Sequence, residues 1–277
     1  MSPAAQAETA SINGLEMYYE VHGEGEPLVL LHGAYMSIPS NWDGLIPTLA
    51  KDHKVIAVEL QGHGRTTDRD TPITYEGMAA DVVALLDQLN IEKAALFGYS
   101  MGGAVAIRVA IDHPEKVSRI VAASAGYIYN EEVMGPDFMK MIDTITPEMF
   151  KDTPFSAEYL RLSPHPEKFP ELVEKLKQLD RNTFDWSAEF ARISVPSLYI
   201  YGDADIIGLD YIARHHKAAG GIVNGDMAGL PKTQLLVLPG TSHIGVFFNP
   251  ANVEILKAVV PVFLNQKLPQ PPQPMPS

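Results

Sequence analysis

Short segments of strand character alternate with helical patterns along most of the chain. The strand-like segments are apolar and five to seven residues long, and they lie at 15–21, 27–31, 54–60, 94–99, 117–123, 197–201 and 234–238. Between several of them, apolar residues recur at helical spacing, as at Tyr75, Met78, Val82, Leu85, Leu86 and Leu89. Such alternation is typical of a parallel sheet with helices on both faces. The sequence therefore predicts an α/β protein with a doubly wound, mostly parallel sheet.

One long segment interrupts this alternation. Residues 126–193 contain no convincing strand pattern, and prolines separate their helical pieces, of which 169–179 is the clearest. We interpret the segment as a helical cap inserted between two strands and lying over one sheet edge; the alternative is a set of extra helices on the outside of the sheet. The predicted domains are a core (11–125 and 194–267), a cap (126–193) and flexible termini (1–10 and 268–277), the second of these rich in proline.

Charge and composition exclude several classes of partner. The chain has 21 Lys and Arg against 34 Asp and Glu, a net charge of −13, which repels phosphate backbones and anionic lipid surfaces. No apolar run approaches the ~18 residues that a membrane helix needs. There is no cysteine, so thiolate nucleophiles and cysteine-ligated metals are excluded. We expect neither nucleic-acid nor membrane partners, and the oligomeric state stays open.

The N-terminal residues bear on localisation. Residues 1–10 have neither the basic region nor the apolar region of an export signal, which predicts a soluble cytoplasmic protein. Ala5-Gln6-Ala7 nevertheless resembles the end of a trimmed signal peptide, so a periplasmic or secreted location stays open.

The strongest local motif surrounds Ser100. The sequence Gly98-Tyr99-Ser100-Met101-Gly102 follows an apolar strand and precedes a buried helical pattern. At such a strand-to-helix turn a strained backbone exposes the serine hydroxyl, and small residues on either side let neighbouring backbone pass close by. The helix N-terminus adds partial positive charge near the hydroxyl. Ser100 is therefore the predicted nucleophile.

A serine nucleophile needs a base and a carboxylate to orient it. His243 follows the last strand, and Asp203 and Asp205 follow the strand at 197–201, so all three share the sheet edge of Ser100. His215 and His216 are expected late in a helix and facing solvent. The order serine, acid, histidine along the chain is the one associated with the doubly wound hydrolase sheet.

Two backbone N–H groups are predicted to stabilise an oxyanion. One belongs to Met101, which follows the nucleophile, and the other belongs to Ala34, in the loop after the strand at 27–31. His32 is then a structural residue of this loop and not a second base.

These motifs together resemble the α/β-hydrolase fold family, in its group of esterases, perhydrolases and C–C hydrolases. The resemblance covers about residues 12–266 and is carried by His32-Gly33, Gly62-His63-Gly64-Arg65, Gly98-x-Ser100-x-Gly102-Gly103, His113-Pro114-Glu115-x-Val117, Pro196-x-Leu198-x-x-x-Gly202-x-x-Asp205 and Gly240-x-x-His243. It implies that the acid lies three residues after the glycine, which selects Asp205 over Asp203.

The chain also departs from the family pattern. The strand before Gly62 carries Glu59 and Gln61 where the family has Asp and a basic residue, and Gly208 stands where it often has Pro. Related dehalogenases and epoxide hydrolases have Asp at the nucleophile turn, so Ser100 argues against both activities and for an acyl-enzyme mechanism.

The predicted pocket walls are apolar or aromatic and contain no Arg or Lys. The substrate-binding residues expected from the three neighbouring loops are Tyr35, Met36, Tyr127, Tyr129, Met134 and Phe247. This favours a cofactor-free and metal-free serine carboxylesterase or lactonase that acts on a neutral small-molecule ester with an apolar or aryl group. Two alternatives stay open: a C–C hydrolase or perhydrolase with the same triad, and a non-catalytic ligand-binding protein on this fold.

Overall fold

The protein was analysed as a computed structural model that describes residues 6–267. The ten strands are β1 (Gln6–Ile12), β2 (Leu15–His22), β3 (Glu26–Leu31), β4 (His53–Val58), β5 (Ala94–Tyr99), β6 (Val117–Ala123), β7 (Ile128–Tyr129), β8 (Phe184–Asp185), β9 (Ser197–Ala204) and β10 (Thr233–Ser242). Eight of them form one sheet in the order β1-β2-β4-β3-β5-β6-β9-β10. β2 is antiparallel to β1 and β4, and all pairs from β4 to β10 are parallel. The predicted fold class is confirmed.

Thirteen α-helices lie among the described residues. They are α1 (Ile38–Trp42), α2 (Ile46–Leu49), α3 (Tyr75–Gln88), α4 (Met101–Asp112), α5 (Glu131–Met134), α6 (Pro136–Thr144), α7 (Pro154–Leu162), α8 (Phe169–Arg181), α9 (Ser187–Phe190), α10 (Leu209–Ala218), α11 (Gly225–Ala228), α12 (Gly245–Phe248) and α13 (Pro250–Asn265). Short 3₁₀ turns occupy Pro114–Lys116, Pro147–Phe150 and Pro166–Lys168. Side chains cap five of the helix starts, among them Thr74 at α3 and Asn249 at α13.

The central strands are buried on both faces. In β5, Leu96 packs into one hydrophobic cluster with α3 and α4, whereas its neighbour Phe97 packs into a second cluster with α1 and α13. Successive side chains of a strand point to opposite faces, so a strand between two helical layers is apolar throughout. This layering leaves the carboxyl ends of the parallel strands as the place where loops can assemble a site.

The segment between β6 and β9 contains α5–α9. Its helix α8 buries an apolar stripe that includes Leu172 and Leu176. Lys175, on the same helix, donates to Asp68 of the core at 2.6 Å. The sequence analysis expects no strand here, but β7 and β8 pair as a two-residue antiparallel ribbon. Strands this short have no alternating pattern that a sequence could show.

The N-terminal boundary of the core needs a correction. Residues 6–10, predicted to be flexible, belong to β1, which pairs along its whole length with β2. Ala10 and Ile12 are buried, and the Tyr19 hydroxyl donates to Glu8 at 2.7 Å. Small and polar residues hide this strand in the sequence. The expectations for residues 1–5 and 268–277 fall outside the described residues.

Candidate active site

Ser100 lies at a tight turn between β5 and α4. Its backbone has φ 51° and ψ −118°, a region that side chains other than glycine rarely adopt. A Cβ atom added to Gly98 would lie 2.0 Å from the Gly102 carbonyl oxygen, and one added to Gly102 would lie 2.1 Å from the Leu31 carbonyl oxygen. Both flanking positions of the motif are therefore closed to any larger residue.

His243 and Asp205 form a hydrogen-bonded chain with this serine. His243 Nε2 is 3.0 Å from Ser100 Oγ, and His243 Nδ1 is 2.7 Å from Asp205 Oδ1. Asp205 follows β9 and His243 follows β10, so two adjacent parallel strands deliver them to the edge where β5 delivers Ser100. The structure thus brings the three predicted residues together.

The environment of Asp205 keeps it ionised. Its side chain is fully buried, and burial raises its pKa, but hydrogen bonds from His243 and Ser124 and the charge of His243 together bring the pKa below the usual value. Ser124 Oγ donates to Asp205 Oδ2 at 2.6 Å. An ionised Asp205 accepts a hydrogen bond from the N–H of His243 Nδ1, and this tautomer leaves Nε2 able to accept the proton of Ser100.

Asp203, the competing acid, has a different position. It is exposed and accepts a hydrogen bond from the Thr241 backbone N–H at 3.0 Å. Backbone N–H groups of Gly240 and Thr241 lower its pKa. Asp203 therefore braces the loop that carries His243 but does not contact the histidine ring.

Two buried histidines hold the loop after β3. His32 Nδ1 donates to the Gly33 carbonyl at 2.8 Å, and its Nε2 accepts from the Leu60 N–H at 3.0 Å. His63 Nε2 accepts from the Tyr35 N–H at 3.3 Å. Burial lowers the pKa of His32 to about 3 and that of His63 to about 4, so both rings are neutral.

The predicted oxyanion donors both border the cavity. Ala34 and Met101 line it together with Ser100. Met101 is the first residue of α4, where a helix leaves its N–H without an intrahelical acceptor. Within residues 6–267, neither N–H donates to a protein acceptor.

The cavity above Ser100 has a volume of about 490 Å³, which is within the usual range for small-molecule sites. Of the predicted substrate-binding residues, Tyr35, Met36, Tyr129 and Met134 line it. Further lining side chains are aromatic or aliphatic, among them Tyr75, Phe138, Met141, Ile145, Phe150, Phe155, Leu179, Phe184, Ile206, Ile207 and Ile244.

Two predicted lining residues are wrong. Tyr127 packs instead against Phe190 of α9, with ring centroids 4.2 Å apart, and lies beside Tyr211 of α10. Phe247 lies in the hydrophobic cluster on the far face of the sheet, where its ring contacts Trp42 and Tyr99. Tyr127 is next to the wall residue Ile128 in sequence, and Phe247 comes three residues after the wall residue Ile244, but each side chain points into a core.

Three polar residues were missed or misjudged. Asp180 lines the cavity from the end of α8, and Ser124 lines it from the end of β6. His215, expected to face solvent, is fully buried beside Tyr201, and Tyr211 on the same face of α10 is buried with it. The four-residue spacing of Tyr211 and His215 was the available signal for this buried face.

Within the part of the chain that the structure describes, no cluster of three or more His, Asp or Glu side chains is arranged to hold a metal ion. None of the helices in residues 6–267 has both the length and the apolar character of a membrane span.

Comparison with known proteins agrees with this architecture. A sequence profile of the alpha/beta hydrolase fold matches residues 26–173. The chain is 30% identical over 262 residues to the dihydrolipoyllysine-residue acetyltransferase component of the acetoin cleaving system of Pseudomonas putida, covering 87% of this chain and 65% of that protein. It is 34% identical over 114 residues to pyrrolizixenacetamide deacetylase of Xenorhabdus hominickii, covering 41% of this chain and 43% of that protein. The chain thus spans less than two thirds of the length of either relative.

Solved structures show the same fold. The enol-lactonase of Burkholderia xenovorans LB400 superposes with a TM-score of 0.69 at 22% identity, covering 93% of this chain and 100% of that one. A carboxylesterase structure from Nitrososphaera gargenis gives a TM-score of 0.71 at 24% identity, covering 94% and 99%. The fold and the site geometry define an α/β protein with a serine, histidine and aspartate at the carboxyl ends of its parallel strands. The chain belongs to the α/β hydrolase fold family.

Proposed function

We propose that this protein is a cofactor-free serine hydrolase that cleaves carboxylic esters or lactones through a covalent acyl-enzyme. The observation that carries the proposal is the hydrogen-bonded chain from Ser100 through His243 to Asp205 at the floor of an apolar cavity. Related proteins of this family include esterases, and a lactonase and a carboxylesterase share the fold.

The proposed reaction uses only groups of the chain. His243 Nε2 takes the proton of Ser100 Oγ as the oxygen attacks the ester carbonyl. The N–H groups of Ala34 and Met101 donate to the oxyanion, and Asp205 stabilises the imidazolium. His243 then gives its proton to the leaving alcohol, and water releases the acid by the same steps in reverse.

The cavity supports a class of substrate. Its walls are mostly aromatic and aliphatic, and no Lys or Arg is found among the described residues that line it. A substrate carboxylate or phosphate would find no counter-ion there, and burying a lone charge is costly. We therefore propose an ester whose buried part is apolar or aryl and carries no negative charge.

The C–C hydrolase or perhydrolase alternative uses the same triad and needs polar groups in the cap. Asp180 and Tyr129 are polar cap residues that line the cavity. A diketone-cleavage assay and a peracid assay separate these activities from ester hydrolysis.

The decisive experiment combines turnover with labelling. We expect the protein to hydrolyse p-nitrophenyl butyrate, a fluorophosphonate probe to modify Ser100, and Ser100→Ala to lose both signals. Ser124→Ala is the matched control, since it keeps the nucleophile and should still be labelled. Labelling at another residue would contradict the assignment of Ser100. Absence of all turnover with an intact fold would favour the non-catalytic ligand-binding alternative.

A further inference from the structure

The cavity contains one acidic side chain that the proposed mechanism does not use. Asp180 lies in the last turn of α8 and is the one Asp, Glu, Lys or Arg among the described lining residues. Within residues 6–267 it has no hydrogen-bond or ion-pair partner. Asp180 is half-buried, and the acids with fully buried side chains differ from it, because Glu59 and Asp81 each bind an arginine and Asp205 binds His243.

Two tyrosine hydroxyls near this acid also lack partners. The hydroxyls of Tyr35 and Tyr129 are buried and make no hydrogen bond within the described chain. Burial raises the pKa of both, and the negative charge of Asp180 raises each further. Since buried polar groups are almost always paired, two unpaired buried hydroxyls and a half-buried carboxylate that line one cavity indicate a position for a polar group of a ligand.

Aromatic rings complete this part of the wall. The ring of Phe184 lies 5.2 Å from that of Tyr75 and 5.8 Å from that of Tyr129, centroid to centroid. The charge of Asp180 contributes, after burial, to the raised pKa of Tyr75. Aromatic faces carry partial negative charge and attract cations. The Asp180 carboxylate and the ring faces therefore favour a positive group over a negative one.

We infer that Asp180, Tyr35 and Tyr129 form a subsite for a primary ammonium group at the far end of an otherwise apolar ester substrate. An ammonium group has three N–H donors, and the carboxylate and the two phenolic oxygens are three acceptors. The inference rests on the proposed ester hydrolysis and specifies its substrate class. It also modifies the expectation of a neutral ester, since the residues that produced that expectation did not include Asp180.

The first test measures binding without turnover. Calorimetry with the Ser100→Ala protein compares n-hexylammonium with hexan-1-ol, which has the same chain and no charge. We expect n-hexylammonium to bind about 10- to 100-fold more tightly, the range for hydrogen bonds to charged groups. Asp180→Asn should remove this preference, whereas Glu174→Gln, an exposed charge change on the same helix, should keep it. Equal affinity for the two probes, or a preference that survives Asp180→Asn, would overturn the subsite.

The pH dependence of binding gives a second readout. Burial raises the pKa of Asp180 to about 7, opposed by the charge of His243. The titratable groups that face it are Tyr35, Tyr75 and Tyr129, which stay neutral at these pH values, and His243. Between pH 8 and pH 6 the carboxylate loses its charge, so n-hexylammonium affinity should fall about tenfold. Asp180→Asn should remove that fall, and a fall of the same size in this variant would overturn the subsite.

Turnover then relates the subsite to the reaction. Two ester pairs differ only in a terminal ammonium against a methyl group: p-nitrophenyl 6-aminohexanoate against p-nitrophenyl heptanoate, and 6-aminohexyl butyrate against heptyl butyrate. We expect kcat/KM to be about tenfold higher for the amine in one pair, and Asp180→Asn to abolish the difference. No preference in either pair overturns the inference while leaving ester hydrolysis intact. Binding of n-hexylammonium with no ester turnover would instead overturn only the proposed function.

Discussion

The two sides of the cavity differ in how their polar groups are held. On the sheet side, Ser100, Ser124, Asp205 and His243 form one continuous set of hydrogen bonds. On the cap side, Asp180 and the Tyr129 hydroxyl have no partner among the described residues, and on the sheet side the Tyr35 hydroxyl is the exception that also has none. Groups fixed by neighbours can be preorganised for chemistry, whereas groups without partners are available to a ligand. The sheet side would then determine the reaction and the cap side the choice of substrate.

The largest expected effect tests the sheet side. Asp205→Asn should lower kcat about 10⁴-fold, because it removes the charge that orients His243. Asp203→Asn should lower kcat less than about tenfold, since Asp203 only braces the Thr241 backbone. Initial rates on p-nitrophenyl butyrate at equal folded yield make the comparison. A larger loss of kcat in Asp203→Asn than in Asp205→Asn would show that Asp203, and not Asp205, is the acid that orients His243.

A pair of glycines tests whether the sheet side is the more tightly packed. Gly102→Ala places its Cβ 2.1 Å from the Leu31 carbonyl oxygen and should cost about 3 kcal/mol or more of unfolding free energy. Gly135→Ala, in the cap, meets no described atom within 4 Å and should cost less, about 1–3 kcal/mol, because its φ of +83° and ψ of 149° are adopted by almost no residue except glycine. Urea unfolding measures both free energies. Equal losses in the two variants would show that the sheet side is not more tightly packed than the cap side.

Enlarging the cap side should change substrate preference more than reactivity. The Phe150 ring lies 4.5 Å from the Tyr35 ring and borders the cavity. Phe150→Ala should change KM for long acyl esters about tenfold, and shortening the cap between 126 and 193 should change chain-length preference further. Labelling of Ser100 by a small fluorophosphonate should change less than about threefold. If labelling of Ser100 fell as much as KM changed in these variants, the cap would also support the chemistry at Ser100.

The smallest effect concerns attachment of the cap to the core. Lys175→Met removes the contact with Asp68 and should cost about 1 kcal/mol, because both side chains are mostly buried but Asp68 keeps hydrogen bonds from Gln61 and from the Arg69 N–H. Amide hydrogen exchange should quicken in α8 and not in β5. Lys257→Met, which breaks an exposed pair with Glu254 on α13, is the control and should change neither.

Sequence patterns predict the sheet side better than the cap side, for a physical reason. Buried strands and a turn that excludes side chains restrict the residue type at every position, so Ser100 and the mostly parallel sheet can be predicted from the chain, although the strand order cannot. Asp180 lies in the last turn of an ordinary amphipathic helix. The neighbouring residues do not show whether an acid at this position lines a cavity or faces solvent. Tyr127 and Phe247 failed for a related reason, because proximity in sequence to a wall residue does not give side-chain direction.

The buried histidines set an acid limit for the whole fold. His32, His63 and His215 have pKa values lowered by burial to about 3, 4 and 3, whereas in the unfolded chain a histidine titrates near ~6.5. Below that pH these histidines are protonated in the unfolded chain but stay neutral in the native protein. Each ring therefore lowers the free energy of unfolding by about 1.4 kcal/mol per pH unit until the pH reaches its native pKa. Above pH 7 this contribution is constant. The rings that hold the loop after β3 therefore keep it in one hydrogen-bonded state at neutral pH, but they make denaturation in mild acid steep and cooperative.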